Sequence, residues 1–334
     1  MKKSRKKQQK KKLSALLLLL FLTVIMLATS TYAWFTTNKT VRIDSIDVNV
    51  AASSGLQIST DAQNWKTVIT KNDIVNPTSW NGHTNQLPAT LAPVSSVGTL
   101  DDNNQMQMFL GTVNAETGEF LLTSELQSDA KGEDGYYVAF DIFLKADLAE
   151  TETEKSVYLT SGANVKNING NDTGLKNASR VAFINQGNVP SSTPIANIQS
   201  LAGGESVIIW EPNSGSHTAN AIGNANTYYS FLTGLDQITV SDNNAKLPYE
   251  GIKAEFDTGI LLNETNKTSN PDYFADVTTF DTKANHDGVE LFKIKKGVTK
   301  YRIYFWVEGQ DIDCENNASG HDIALDLILS LDQN

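Results

Sequence analysis

Four carboxylates near residue 310 form the densest group of chemistry-bearing side chains in this 334-residue chain. Glu308, Asp311, Asp313 and Glu315 fall within ten residues of one another. Oxygen ligands spaced by two residues suit Ca²⁺, which takes about six to eight such atoms. The run lacks the glycine-centred loop of an EF-hand, so a solvated acidic loop between two strands is the competing expectation. The four histidines, His83, His217, His286 and His321, are widely separated. None stands four residues from another, and His-Glu-x-x-His is absent, so a helix-borne zinc site is not expected. Gly-x-Ser-x-Gly is absent as well. A single cysteine, Cys314, allows neither an internal disulfide nor a thiolate zinc site, and reads as a small core residue. These observations predict a protein that is not an enzyme and carries no cofactor, with Ca²⁺ at Glu308, Asp311, Asp313 and Glu315 as the exception to test.

Binding chemistry is thinner. Trp65, Trp80, Trp210, Tyr228 and Tyr229 would make a sugar-stacking platform if exposed, and core or rim packing if not. Leu87-Pro88-Ala89-Thr90-Leu91 lacks the final glycine of a sortase signal, and no hydrophobic tail follows it. Residues 1–33 hold eight Lys or Arg and no acid, leaving 19 basic and 38 acidic residues downstream, a formal charge of −19. Such a body repels nucleic acid, so no nucleic-acid partner is expected.

The N-terminus speaks to compartment. Met1–Lys12 is basic, Leu13–Ala28 is mostly apolar, and Thr29-Ser30-Thr31-Tyr32-Ala33 puts small Ala33 directly before Trp34 with Thr31 two residues earlier. That order is a signal peptide cut between Ala33 and Trp34 by a signal peptidase. The alternative is a retained anchor, since residues 13–35 are long enough to cross a bilayer. Either way the basic flank stays inside and residues 34–334 face outward. The expected location is extracellular or at the cell surface, membrane-anchored if uncleaved.

The stretch Ser30-Thr31-Tyr32-Ala33-Trp34-Phe35-Thr36, behind its Lys-rich and Leu-rich segment, resembles the signals cut by the dedicated signal peptidase of Gram-positive biofilm operons. Clients of that peptidase include the TasA/camelysin group of matrix fibre proteins. Many exported Firmicutes proteins share such a signal and a C-terminal stretch similar to Ile303–Cys314. The resemblance implies a jelly-roll sandwich and a biofilm-matrix role, with fibre formation as an implication only. Camelysin's description as a metalloprotease implies a metal-dependent hydrolase as a third reading, which the absent ligand motif disfavours.

The body alternates with the period of strands. Val41, Ile43, Ile46, Val48 and Val50 alternate with a slip near Ser45 that a bulge would explain. Tyr301, Ile303, Phe305 and Val307 share one face, opposite Arg302, Tyr304, Trp306 and Glu308. Ile323 to Leu331 alternates most cleanly, while residues 136–146 are apolar on both faces, as in a central strand. Further strands are expected at 55–59, 120–123, 155–159, 180–184, 206–210, 237–240, 251–256 and 289–294. Asn- and Asp-rich turns separate them. One short helix is expected over 194–202, capped by Thr193. The expected fold is all-β: a jelly-roll-like antiparallel β-sandwich with loop insertions over residues 34–334, preceded by an N-terminal hydrophobic helix.

The function this predicts is an exported cell-surface or extracellular-matrix structural protein, with fibre formation in a biofilm as what the resemblance implies. A terminal strand carrying Trp34, Phe35, Val41, Ile43, Ile46, Val48 and Val50 would complete a neighbour's sheet edge. A glycan- or host-binding adhesin is the alternative.

Overall fold

The computed structural model describes residues 46–116, 119–168, 172–223, 225, 226, 247, 249–281, 290–314 and 322–331. Two six-stranded sheets face each other. The first runs β15 (Glu290–Lys295), β7 (Glu154–Leu159), β17 (Ile323–Ser330), β1 (Ile46–Ser53) and β3 (Val68–Thr70), with β8 (Asn164–Asn167) also on β17. The second runs β14 (Phe280–Asp281), β10 (Val207–Glu211), β9 (Ser179–Val189), β16 (Val298–Val307), β6 (Val138–Ala146) and β2 (Leu56–Ser59). The all-β sandwich expected from alternation is the observed architecture. Two pairings depart from the antiparallel expectation. β1 runs parallel to β17, Ile46 opposite Ile323 through Ser53 opposite Ser330, and β10 runs parallel to β14. The expected N-terminal helix, the bulge near Ser45 and the strand at 237–240 lie outside the described residues.

Alternation decides which side chains meet between the sheets. Val50, Leu325, Leu327 and Leu329 face Phe140, Ile142, Ile303 and Phe305 across the interior, all at most 1 % exposed. Phe292 of β15 stacks on Tyr301 of β16 with centroids 4.1 Å apart, joining the two sheets at one end. The chain passes from β1 to β2 through Ser54 and Gly55, both with positive φ (58° and 86°). Glycine meets that demand without the strain a Cβ brings. Gly297, with φ 119°, makes another crossing, from β15 to β16; a Cβ there would meet the Val189 carbonyl.

Apolar residues on both faces of β6 have a direct cause: the second sheet is covered twice. Its outer face carries Tyr137, Ala139, Ala182, Ile184, Tyr304 and Trp306, and the 94–110 stretch lays Val94, Met106 and Met108 over them. Beyond lie a three-stranded sheet of β12 (Phe256–Leu261), β5 (Glu119–Gln127) and β4 (Met108–Glu116), and a ribbon of β11 (Glu250–Ile252) and β13 (Phe274–Asp276). The single strand expected over 251–256 is thus two. The short helix is Ile195–Gln199, with Pro194 in the N-cap position and no side-chain cap hydrogen bond, so Thr193 does not cap it; Thr193 belongs to the preceding turn, its N donating to the Pro190 carbonyl.

Candidate functional site

The outer face of β16 presents Lys300, Arg302, Tyr304, Trp306 and Glu308 in sequence, one every second residue, and each is at most 4 % exposed. Five such groups under a protein layer require partners, because an unpaired buried charge is expensive. Arg302 supplies the centre of the first cluster. Its Nη1 donates to Asp141 Oδ1 at 2.9 Å, and its Nε and Nη2 both donate to Asp129 Oδ2, at 2.9 and 2.6 Å. Lys300 Nζ lies 3.1 Å from Asp141 Oδ2 and also donates to the Gln199 and Leu201 carbonyls. Tyr304 and Tyr137 each donate a hydroxyl hydrogen to Asp129. Burial works to raise the Asp141 pKa, but Arg302 and Lys300 outweigh it and hold the carboxyl below its ordinary value. For Lys300 burial dominates and lowers it, against the pull of Asp141.

The acidic group singled out in the sequence forms the far end of the same row. Glu308 is fully buried, where a solvated loop was one expectation. Its Oε2 accepts from Trp306 Nε1 at 3.1 Å and Ser96 N at 3.4 Å, and its Oε1 from Gln310 N at 3.0 Å. Burial outweighs these donors and the nearby Arg180 charge, and pushes the Glu308 pKa up to about 7. Asp311 accepts from Arg180 Nη2 at 2.5 Å and from Asp313 N at 2.8 Å; burial raises its pKa despite Arg180. Arg180 Nη2 is also 3.0 Å from Glu211 Oε1. Asp313 is held by His217 Nδ1, by Thr218 N and by Asn177 Nδ2. Gly174 makes this possible: a Cβ there would collide with the Asp313 carbonyl.

The structure therefore gathers Glu308, Asp311 and Asp313 into one buried region but gives each carboxylate its own donors. Among the described residues no three His, Cys, Asp or Glu side chains are grouped to hold a metal ion. Glu315, His286 and His321 lie outside the described residues, as do Ala33, Trp34, Phe35, Val41 and Ile43. Of the expected assembly strand, Ile46–Val50 belongs to β1. It is paired to β17 along its length and, at Asn49–Ala51, to β3 on its other edge, with Val50 in the core. That pairing narrows any free segment to residues before Ile46.

The aromatic platform needs correction. Trp210 is fully buried in the inter-sheet core, so it offers no face to a sugar. Trp80 packs edge-on to Phe143 at 5.5 Å, with Lys300 Nζ 5.1 Å from its ring, and Lys145 Nζ sits 4.2 Å from the Trp65 ring. Tyr228 and Tyr229 lie outside the described residues. Leu87 and Leu91 of the sortase-like stretch are buried.

Sequence reasoning missed Arg180, Arg302, Asp129, Asp141 and Glu211. A signal was present: Arg180 and Arg302 each interrupt an otherwise apolar strand, and a cation in such a place must bring a carboxylate with it. Chemically, the row is an electrostatic fastening between the second sheet and its covering layer. Comparison with protein-family models, curated proteins and solved structures finds no match for this chain.

Proposed function

We propose that this chain is an exported structural protein of a cell surface or extracellular matrix, acting as material or contact surface and not as an enzyme. The observation that carries the reading is the leader: a basic flank, sixteen mostly apolar residues and a small-residue cleavage pattern at Ala33, ahead of a strongly acidic body. An all-β sandwich that buries a row of paired charges under a second layer suits a durable building unit. The resemblance of residues 30–36 to signals of the biofilm-matrix group supports fibre formation as the mode of assembly. No helix among the described residues is long and apolar enough to cross a membrane; in this reading the apolar run at residues 13–35 is the membrane segment before cleavage.

N-terminal sequencing of the protein from cell and medium fractions tests export. A chain beginning at Trp34 in the medium is the expected result; a chain confined to the cytosol overturns the reading. Light scattering on the released protein tests assembly, and a monomer at every concentration and pH removes it.

A further inference from the structure

One edge of β4 is paired to β5 along its length, but the other is paired only at its start. There Phe109 exchanges both backbone hydrogen bonds with Ser95, at 2.8 and 2.9 Å. Phe109 therefore turns its N–H and C=O away from β5, and in an antiparallel ladder every second residue does the same. Gly111, Val113 and Ala115 continue that row, and none of the three has a backbone partner there among the described residues. The chain that covers Phe109 leaves the edge at Val94, whose N–H and C=O go to Val307 and Gly309 instead.

An open edge is a template for another strand, and proteins guard it with brevity, charge or a bulge. Edges elsewhere in this fold are guarded. β14 has two residues and β3 three, β12 loses register between Phe256 and Ile260, and β15 carries Glu290, Lys293 and Lys295. β4 has none of these devices. It spans nine residues, pairs with β5 without a register shift, and has no charged residue or proline from Met108 to Ala115.

The strand that fits this edge is a second β4. The open row is symmetric about Val113. A two-fold axis beside that residue sets Gly111 against the partner's Ala115, Val113 against the partner's Val113, and Ala115 against the partner's Gly111. Every open position then meets an open position, and each pair exchanges two main-chain hydrogen bonds. Between them Thr112 stands opposite the partner's Asn114, so no like charges meet. In a body of formal charge −19, two copies approach best through a surface that is itself uncharged.

We propose that two copies of this chain join antiparallel through their β4 edges, merging their three-stranded sheets into one continuous sheet. The contact is two-fold and closes on itself, so it gives a dimer and not a fibre. It goes beyond the surface or matrix role above and stands whether or not that role does.

Disulfide trapping in the full chain tests the register. Thr112 and Asn114 face each other across the axis, whereas each lies diagonal to its own copy, about 7–8 Å away. A disulfide needs Cα atoms within about 7 Å. Thr112→Cys and Asn114→Cys chains, produced together and oxidised with copper phenanthroline, should give a linked dimer on non-reducing gels. Either chain alone should give at most about a tenth as much, as should Asn114→Cys produced with Glu150→Cys, an exposed site elsewhere. The native Cys314 is buried and does not compete. In a second arm, Thr112→Lys with Asn114→Lys puts like charges across the axis. It should weaken the dimer at least about tenfold in sedimentation equilibrium of the detergent-solubilised chain, with an unchanged thermal midpoint, and Thr112→Lys with Asn114→Glu should restore it. No trapping, equal trapping by single chains or by the Glu150→Cys mixture, or a dimer indifferent to the lysine pair overturns the proposal.

Discussion

β16 borders two interiors of different character. Toward the first sheet it presents Tyr301, Ile303, Phe305 and Val307 to aliphatic and aromatic neighbours; toward the covering layer it presents Lys300, Arg302 and Glu308 among carboxylates and tyrosines. Both sides are equally dry. The aliphatic side is held by shape and apolar area, where many substitutions of similar volume are tolerated. The charged side is held by matched partners, where removal of one member strands the others. The two faces of one strand should therefore fail in different ways.

The largest effect is expected at Arg302. Arg302→Met leaves Asp129 and Asp141 buried with Lys300 as the remaining cation, and should cost about 3–5 kcal/mol in urea unfolding. A cost under 1 kcal/mol would mean the charged side behaves like the aliphatic one. Next comes Leu327→Ala in the inter-sheet core, expected to cost about 2–5 kcal/mol through lost burial and a residual cavity. Adding Asp129→Asn to the first variant should recover part of the Arg302 loss, because it neutralises the carboxylate that Arg302 alone pairs with and keeps the Lys300–Asp141 pair, whereas no second deletion recovers the Leu327 loss.

Glu308 supplies a pH-dependent contrast. Its folded pKa of about 7 lies above its ordinary 4.5, so the folded state holds the proton more tightly. Its stabilising contribution is fully present below about pH 4.5 and is lost as pH rises through about 7, amounting to about 3 kcal/mol. Asp311 shifts in the same direction. Thermal midpoints should therefore fall over that window, and Glu308→Gln should flatten the profile; an unchanged slope would show that another group sets it. The smallest effect belongs to the surface. Lys166 pairs with Asp326 at 2.5 Å but is 57 % exposed, and Lys166→Ala should change stability by under about 1 kcal/mol.

Strand content was largely legible, and the reason is visible in β17. Ile323, Leu325, Leu327 and Leu329 all lie in the inter-sheet core, as a two-residue period requires. Residues 136–146 read as a central strand because β6 is covered on both faces. The charged row was not legible as a unit, since Arg302 meets partners 161 and 173 residues away, and no local spacing encodes such distances. The Glu308–Asp313 group was found in sequence, but its burial depends on Ser96, Asn177, Arg180 and His217, each remote from it. β4 went unseen because Met108-Phe109-Leu110-Gly111-Thr112 lacks clean alternation, and its register is set by pairing with β5.

The parallel union of β1 and β17 joins residues 277 positions apart in the chain. Its first strand has no long-lived neighbour on that side until the distant one is available, so closing the sheet is a late, non-local event. A polypeptide built this way cannot seal its first sheet until almost its whole length is at hand, so a chain cut short near its end keeps an open seam along β1.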